Sequence, residues 1–142
     1  MRGNRVPMSF EELEHTADVR IRVMSATLED LFSEAARALM VVMYGEVHTG
    51  EMIRRVEIEA PDLESLMQAF LSEVLFVSEV ESMVVSGADV RISGTRLAAD
   101  LSGEPFSRDR HLGGREVKGI AMHGLSLRYD HDTYILEIIF DV

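Results

Sequence analysis

Two segments of this chain carry apolar side chains at helical spacing, and most of the remaining sequence alternates with the two-residue period of a strand. The first helical segment follows Thr27, a candidate N-cap, and stops before Gly45. The second opens at Pro61-Asp62, another cap signature, and runs towards Glu79. Apolar stripes of this kind are typical of helices that pack against a core. The two helices therefore need a sheet on which to bury these stripes.

The order of the segments predicts the fold class. It reads strand, helix, strand, helix and then several strands in succession, with hairpin turns expected at Ser93-Gly94 and at Asp130-His131-Asp132. This order predicts an α+β fold in which two helices pack on one face of a mostly antiparallel or mixed β-sheet. We expect a single two-layer domain over residues 1–142, with residues 1–8 as a loose N-terminal extension.

Composition excludes several classes of protein. The chain has no cysteine, which rules out a disulfide framework and a thiolate zinc site and is compatible with a reducing cytoplasm. No apolar run approaches the roughly 20 residues that span a bilayer, so no membrane partner is expected. The first eight residues hold two arginines but no hydrophobic region, and they do not resemble a signal peptide. These features predict a cytoplasmic location.

The charge balance bears on the partner. The net charge is −11, and Lys118 is the only lysine in the chain. Nucleic-acid affinity comes largely from lysine and arginine that neutralise phosphates, so stable binding to RNA or DNA by this chain alone is not expected. An acidic surface suits an encounter with a basic partner, although the charge could equally serve solubility alone.

Carboxylates stand at the edges of two strong strand signals. Asp18 precedes a run in which apolar and charged residues alternate. Asp141 follows an almost wholly apolar run and is itself followed by Val142. If these two strands lie side by side, Asp18, Asp141 and the C-terminal carboxylate of Val142 form a divalent-cation site in outline. The alternative is structural, because paired carboxylates and a turn at His15-Thr16-Ala17-Asp18 also occur without an ion.

Lys118 is the second candidate, in a strand-like stretch five residues before His123. It is either an exposed edge-strand lysine that opposes aggregation, or a cation that contacts a phosphate or an acidic group. No spacing in the chain predicts a serine–histidine or cysteine–histidine nucleophile. His48, His111 and His131 fall in predicted loops, where we expect them to be solvated.

The combined motifs resemble those of the archease family, whose members serve the RNA-splicing ligase in tRNA maturation. The resemblance covers nearly the whole chain. The segments that carry it are Glu14-His15-Thr16-Ala17-Asp18-Val19, residues 28–36, residues 71–76, Gly103-Glu104-Pro105-Phe106 with His111, Val117-Lys118-Gly119, His123-Gly124-Leu125 and Ile139-Phe140-Asp141-Val142. One departure is visible: Ala121 and Met122 stand where the family usually has threonine and an aromatic residue.

The resemblance implies a non-enzymatic protein cofactor. Archease-like proteins help the tRNA-splicing ligase to load itself with GMP from GTP and to turn over repeatedly. The resemblance also implies a divalent metal ion (Ca²⁺, Mg²⁺ or Mn²⁺) held by Asp18, Asp141 and Val142. It further implies a role in ligase activation for Lys118, to which we add His15 and His123 as candidates.

Two rival functions remain open. A small metal-dependent hydrolase could use the two aspartates with His15 or His123 as the base, and it would need a concave pocket at the metal. A general chaperone would need a large exposed apolar patch.

Overall fold

The computed structural model describes residues 8–13 and 18–142 of the chain. Helix α1 spans Leu28–Tyr44 and α2 spans Leu63–Glu81. The strands in chain order are β1 (Ser9–Leu13), β2 (Asp18–Ser25), β3 (Met52–Glu59), β4 (Met83–Ser93), β5 (Arg96–Pro105), β6 (Gly119–Ile120), β7 (Ser126–Asp130) and β8 (Thr133–Asp141). The predicted α+β class is confirmed.

Every strand pair in the described residues is antiparallel, and the strands divide into two sheets. The first sheet has the order β1-β2-β8-β6, with β7 also paired to β8, and the second has the order β3-β5-β4. Both helices contact strands of both sheets. The sequence predicted one mostly antiparallel or mixed sheet and not its division into two, because alternation alone does not say which strands are neighbours.

Both helices begin where the sequence predicted and α1 ends before Gly45 as expected, whereas α2 runs two residues past Glu79 to Glu81. The Thr27 side chain accepts a hydrogen bond from the Asp30 backbone N–H at 3.1 Å, and Gly45 ends α1 at φ 79°. The Asp62 side chain accepts from the Ser65 backbone N–H at 2.7 Å. These bonds satisfy N–H groups that a helix leaves unpaired in its first turn.

The strand bounds differ from the prediction in three places. Strand β1 was not predicted. The apolar pattern of residues 117–121 predicts a strand, of which only Gly119–Ile120 forms one. The glycine and charged residues from 103 to 115 predict a loop, but residues 103–105 form the end of β5. The last hairpin turns at His131 and Asp132, both at positive φ, as a two-residue turn requires.

The core lies between the helices and the two sheets. Phe32 of α1 and Phe70 of α2 are fully buried with ring centroids 5.8 Å apart. Along β2 the alternate residues Val19, Ile21 and Val23 are 0% exposed. Their partners on β8 are Phe140, Ile138 and Leu136, which are also fully buried. The residues that alternate with these along β2 and β8 therefore face away from the helices.

Candidate functional site

The two predicted aspartates lie directly opposite each other. Asp18 begins β2 and Asp141 ends β8, and the antiparallel register pairs them. Directly opposed residues have Cβ atoms about 4.5–5.5 Å apart on the same face of the sheet. That face is the outer one, because the neighbouring pair Val19 and Phe140 points into the core. Both aspartates are half-buried, and Asp18 has a further interaction of its own.

Two carboxylates are only part of a metal site. Within residues 8–13 and 18–142, no three side chains of histidine, cysteine, aspartate or glutamate form a cluster that could hold an ion. Val142 follows Asp141 directly and packs half-buried against the core. The oxygen chemistry of the aspartates fits a hard cation, but further ligands would have to come from main-chain or terminal oxygens, from water or from residues 14–17.

Lys118 lies at the same strand end. Its backbone N–H donates to the Asp141 carbonyl at 2.6 Å, and the next residue, Gly119, pairs with Asp141 in β6. The lysine side chain is exposed. Asp141 therefore lies between Asp18 on one neighbouring strand and the Lys118-Gly119 backbone on the other. We call Asp18, Lys118, Asp141 and Val142 the tip.

His123 lies in an exposed turn over the outer face of the same sheet. The turn is closed by a hydrogen bond from Leu125 N–H to Met122 O at 3.2 Å. Gly124 has φ +75°, and a Cβ atom on it would lie 3.0 Å from Cδ1 of Ile139. Ile139 precedes Asp141 by two residues and shares its face, so the turn borders the tip. His15 lies outside the described residues.

The expectation that His111 is solvated is wrong. Its side chain is 0% exposed, and both ring nitrogens have partners. Nδ1 accepts from the Ser107 backbone N–H at 2.8 Å, so Nε2 carries the proton and donates to Glu104 at 2.8 Å. Arg110 donates to the other oxygen of Glu104 at 2.9 Å. A histidine engaged in this way acts as a structural residue rather than as a general base.

Aromatic rings cover this buried pair. Tyr44 at the end of α1 lies 5.8 Å from the ring of Phe106 and 6.0 Å from that of His111, and its hydroxyl contacts Ser78 Oγ at 2.5 Å. Burial raises the pKa of Tyr44, with a smaller contribution from the Glu79 carboxylate. The sequence linked Glu104, Phe106 and His111 only through their resemblance to a family pattern.

Two cavities of the described residues lie away from the tip. One, of about 530 Å³, is lined by charged and apolar residues of β3, β4 and β5, including Glu57, Arg91 and Arg96. The other, of about 250 Å³, is lined by Tyr44, Phe106 and their neighbours. Neither includes a residue of the tip. No helix in the described residues is both long enough and apolar enough to cross a membrane.

Comparison with known proteins gives a consistent result. Residues 10–142 match the model of the Archease protein family. Protein archease of Methanopyrus kandleri is 34% identical over 141 residues, covering 95% of this chain and 100% of that protein. Protein archease of Thermococcus gammatolerans is 37% identical over 124 residues, covering 83% of this chain and 87% of that protein.

Two solved structures share the fold. The solution structure of Methanobacterium thermoautotrophicum protein 1598 has a TM-score of 0.75 at 26% identity, covering 94% of this chain and 98% of that one. An archease from Thermotoga maritima, described as a possible chaperone, has a TM-score of 0.66 at 18% identity, covering 93% and 96% respectively. The latter likeness shows the fold alone.

Proposed function

This chain belongs to the archease family, and from that membership we propose that it is a non-catalytic protein cofactor of the tRNA-splicing RNA ligase. It promotes guanylylation of the ligase by GTP and so allows multiple turnover. The observation that carries the proposal is the shared strand end, where Asp18 pairs with Asp141 and Lys118 bonds to the Asp141 main chain. A half-buried pair of carboxylates beside an exposed lysine, at the end of a sheet, suits contact with the active site of another protein.

The tip would hold a divalent ion, Mg²⁺, Mn²⁺ or Ca²⁺, through the carboxylates of Asp18 and Asp141 and the C-terminal carboxylate of Val142. When bound, such an ion supplies positive charge for triphosphate oxygens. The aspartates are well suited to this role because the paired strands hold them on one face without a loop.

Lys118 would contact phosphate oxygens directly. Phosphoryl and nucleotidyl transfer place negative charge on oxygens around phosphorus, and preorganised cations stabilise that charge. The Lys118 side chain is exposed while its backbone is fixed to β8, so its ammonium group extends from a rigid base. His123 borders the same surface. His15 lies three residues before Asp18 in the sequence. The nucleophile would be the ligase's own.

The geometry favours this proposal over a metal-dependent hydrolase. A hydrolase needs its metal ligands in a concave pocket that binds substrate, whereas the described cavities include neither aspartate. A general chaperone would use apolar rather than polar surface, and it would leave the cross-strand pair of aspartates without a role.

The test is ligase–GMP formation and RNA ligation with the cognate ligase at substoichiometric concentration. We expect wild type to convert a slow or single-turnover ligase to multiple turnover. Lys118→Ala should reduce the stimulation by about tenfold or more, because one preorganised cation is worth at least that factor in transition-state stabilisation. Asp18→Asn and Asp141→Asn should have effects of similar size.

Matched controls separate the site from general charge effects. Arg128→Ala removes an exposed cation elsewhere on the same sheet, and Asp109→Asn removes an exposed carboxylate from a turn. Both should stimulate like wild type. Calorimetric titration with Mn²⁺ should detect binding to wild type and its loss in Asp141→Asn. Equal stimulation by all variants would refute the site, and no stimulation by wild type would refute the function.

A further inference from the structure

Two exposed apolar side chains line the 250 Å³ cavity near the ends of α1 and α2, and two more lie on α2 close in sequence to a residue of its lining. Leu112 and Phe106 line the cavity and are 66% and 36% exposed. Phe76 and Val80, one turn apart on α2, are 55% and 64% exposed, and Glu79 between them also lines the cavity. Single exposed apolar residues are ordinary, whereas two in the lining of one cavity and two on α2 beside its Glu79 form a group. We call these four residues, with Glu79 and Glu116, the docking face.

The cavity is held in place by backbone hydrogen bonds between its walls. Phe106 N–H donates to the Ser82 carbonyl at 2.7 Å, which fixes the segment after β5 to the end of α2. Arg115 N–H donates to the Val42 carbonyl at 2.8 Å, which fixes the segment after Leu112 to the end of α1. A preformed site of this kind binds without the cost of ordering its own loops.

The backbone approach at Gly114 confirms that this packing is tight. A Cβ atom on Gly114 would lie 2.2 Å from the Met43 carbonyl carbon, so no larger residue fits there. The segment that contains Leu112 therefore packs directly against the end of α1. Leu112 is presented to solvent from a fixed backbone.

The charge around the cavity is negative. Glu79 and Glu116 line it and are exposed, and no ion pair is formed by either within the described residues. The one cation in the lining, Arg115, is paired with Glu12 at 3.0 Å. An occupant with positive charge is thus favoured. A second copy of this chain, with net charge −11, is disfavoured by the same argument.

We propose that the docking face anchors a basic segment of the ligase, one large apolar side chain flanked by lysine or arginine. This inference rests on the proposed function. An enzyme that holds RNA carries lysine and arginine to neutralise phosphates, which supplies the required charge. The cavity is smaller than the roughly 300–1,000 Å³ of sites for drug-sized ligands, and it suits a single side chain.

The docking face and the tip can reach the same partner. Leu112 and Lys118 are six residues apart, which limits their separation to about 20 Å even in a fully extended chain. A ligase segment held at the docking face would raise the local concentration of the tip at the active site. The two surfaces then have separable roles, affinity at one and stimulation at the other.

The test is the concentration dependence of ligase stimulation. Leu112→Ser and Val80→Ser should raise the concentration for half-maximal stimulation by about tenfold and leave the plateau unchanged. The double variant Glu79→Gln/Glu116→Gln should raise it by about threefold and weaken its dependence on salt. Asp141→Asn at the tip should instead lower the plateau. Ile53→Ser, which replaces an apolar side chain 61% exposed on β3, should change neither quantity.

Urea unfolding checks that each variant is folded, which is expected because the replaced side chains are exposed. If wild type stimulates and the Leu112 and Val80 variants reach half-maximum at its concentration, the docking face is refuted and the function stands. If wild type does not stimulate, both proposals fall. Sedimentation of a dimer that Leu112→Ser dissociates would assign the face to a second copy and overturn the inference.

Discussion

His111 illustrates how a single residue in an irregular segment can become part of the interior. It is followed by exposed residues, yet its ring is enclosed by Tyr44 and Phe106 and bonded at both nitrogens. Glu104 is buried with it and is further bonded to Arg110. Burying a carboxylate is costly unless it is paired, so the three residues depend on one another.

At this scale we predict that His111→Ala lowers the free energy of unfolding by about 2–4 kcal/mol, because it opens a cavity and leaves the Ser107 N–H and one oxygen of Glu104 without partners. Urea unfolding monitored by circular dichroism measures the change. His48→Ala is the matched control: His48 is exposed and its ring pairs with Glu46, and its replacement should cost less than about 0.5 kcal/mol. Equal effects of the two substitutions would contradict the structural role of His111.

Strand β8 organises its sheet and the tip at its end. It pairs with β2 on one side and with β6 and β7 on the other. On its outer face Glu137 accepts from Arg22 at 2.9 and 3.1 Å and from Arg20 at 3.2 Å. These bonds, chiefly those from Arg22, hold the pKa of Glu137 below its ordinary value of 4.5. The network joins β8 to β2 at Glu137, which lies two residues before Ile139. Ile139 in turn lies two residues before Asp141 of the tip.

At the scale of the element we predict a pH-dependent stabilisation. Since the pKa of Glu137 is lower in the folded state, its contribution is present above its ordinary pKa and is lost as pH falls through the folded value. Glu137→Gln should reduce the free energy of unfolding by about 1 kcal/mol at pH 7, a modest figure because both arginines are partly exposed. The difference from wild type should shrink as the pH falls below 4.5 and through the folded pKa of Glu137.

Chemical denaturation across that pH range measures the effect. Glu57→Gln serves as the control, because Glu57 is 71% exposed and pairs only with Arg55 in the same strand. Its replacement should have almost no effect at any pH. A Glu137 effect that does not change as the pH falls below 4.5 would show that packing rather than ionisation carries it.

The molecule as a whole is acidic, and this constrains its relation to RNA. With net charge −11 it repels a phosphate backbone, whereas the proposed ligase partner must attract one. The proposed docking face and the charge balance both favour contact with a basic protein. In the proposed complex, RNA binding would be left to the ligase.

At this scale we predict that the free chain shows no submicromolar binding to tRNA halves at physiological salt, as measured by fluorescence anisotropy. A complex with the ligase should bind RNA with the salt dependence of the ligase alone, since this chain contributes few cations to phosphate contacts. Tight, salt-sensitive binding by the free chain would contradict this and favour a direct role in holding RNA.

The sequence by itself determined both helices, the α+β class and the expectation that two strand-end aspartates meet. These features depend on local signals: the caps at Thr27 and Asp62, the apolar stripes, and the apolar run before Asp141. The metal and activation roles of the tip stay predictions.

Only the tertiary structure decided the division into two sheets, the short β6 and the burial of His111. Strand pairing depends on contacts between distant segments, so alternation could not assign β8 to the centre of one sheet and β5 to the centre of the other. A buried polar residue needs partners, and Ser107 and Glu104 lie only four and seven residues before His111. What encloses the ring is Tyr44 at the end of α1, which is distant in sequence, so no local pattern could predict that His111 is buried.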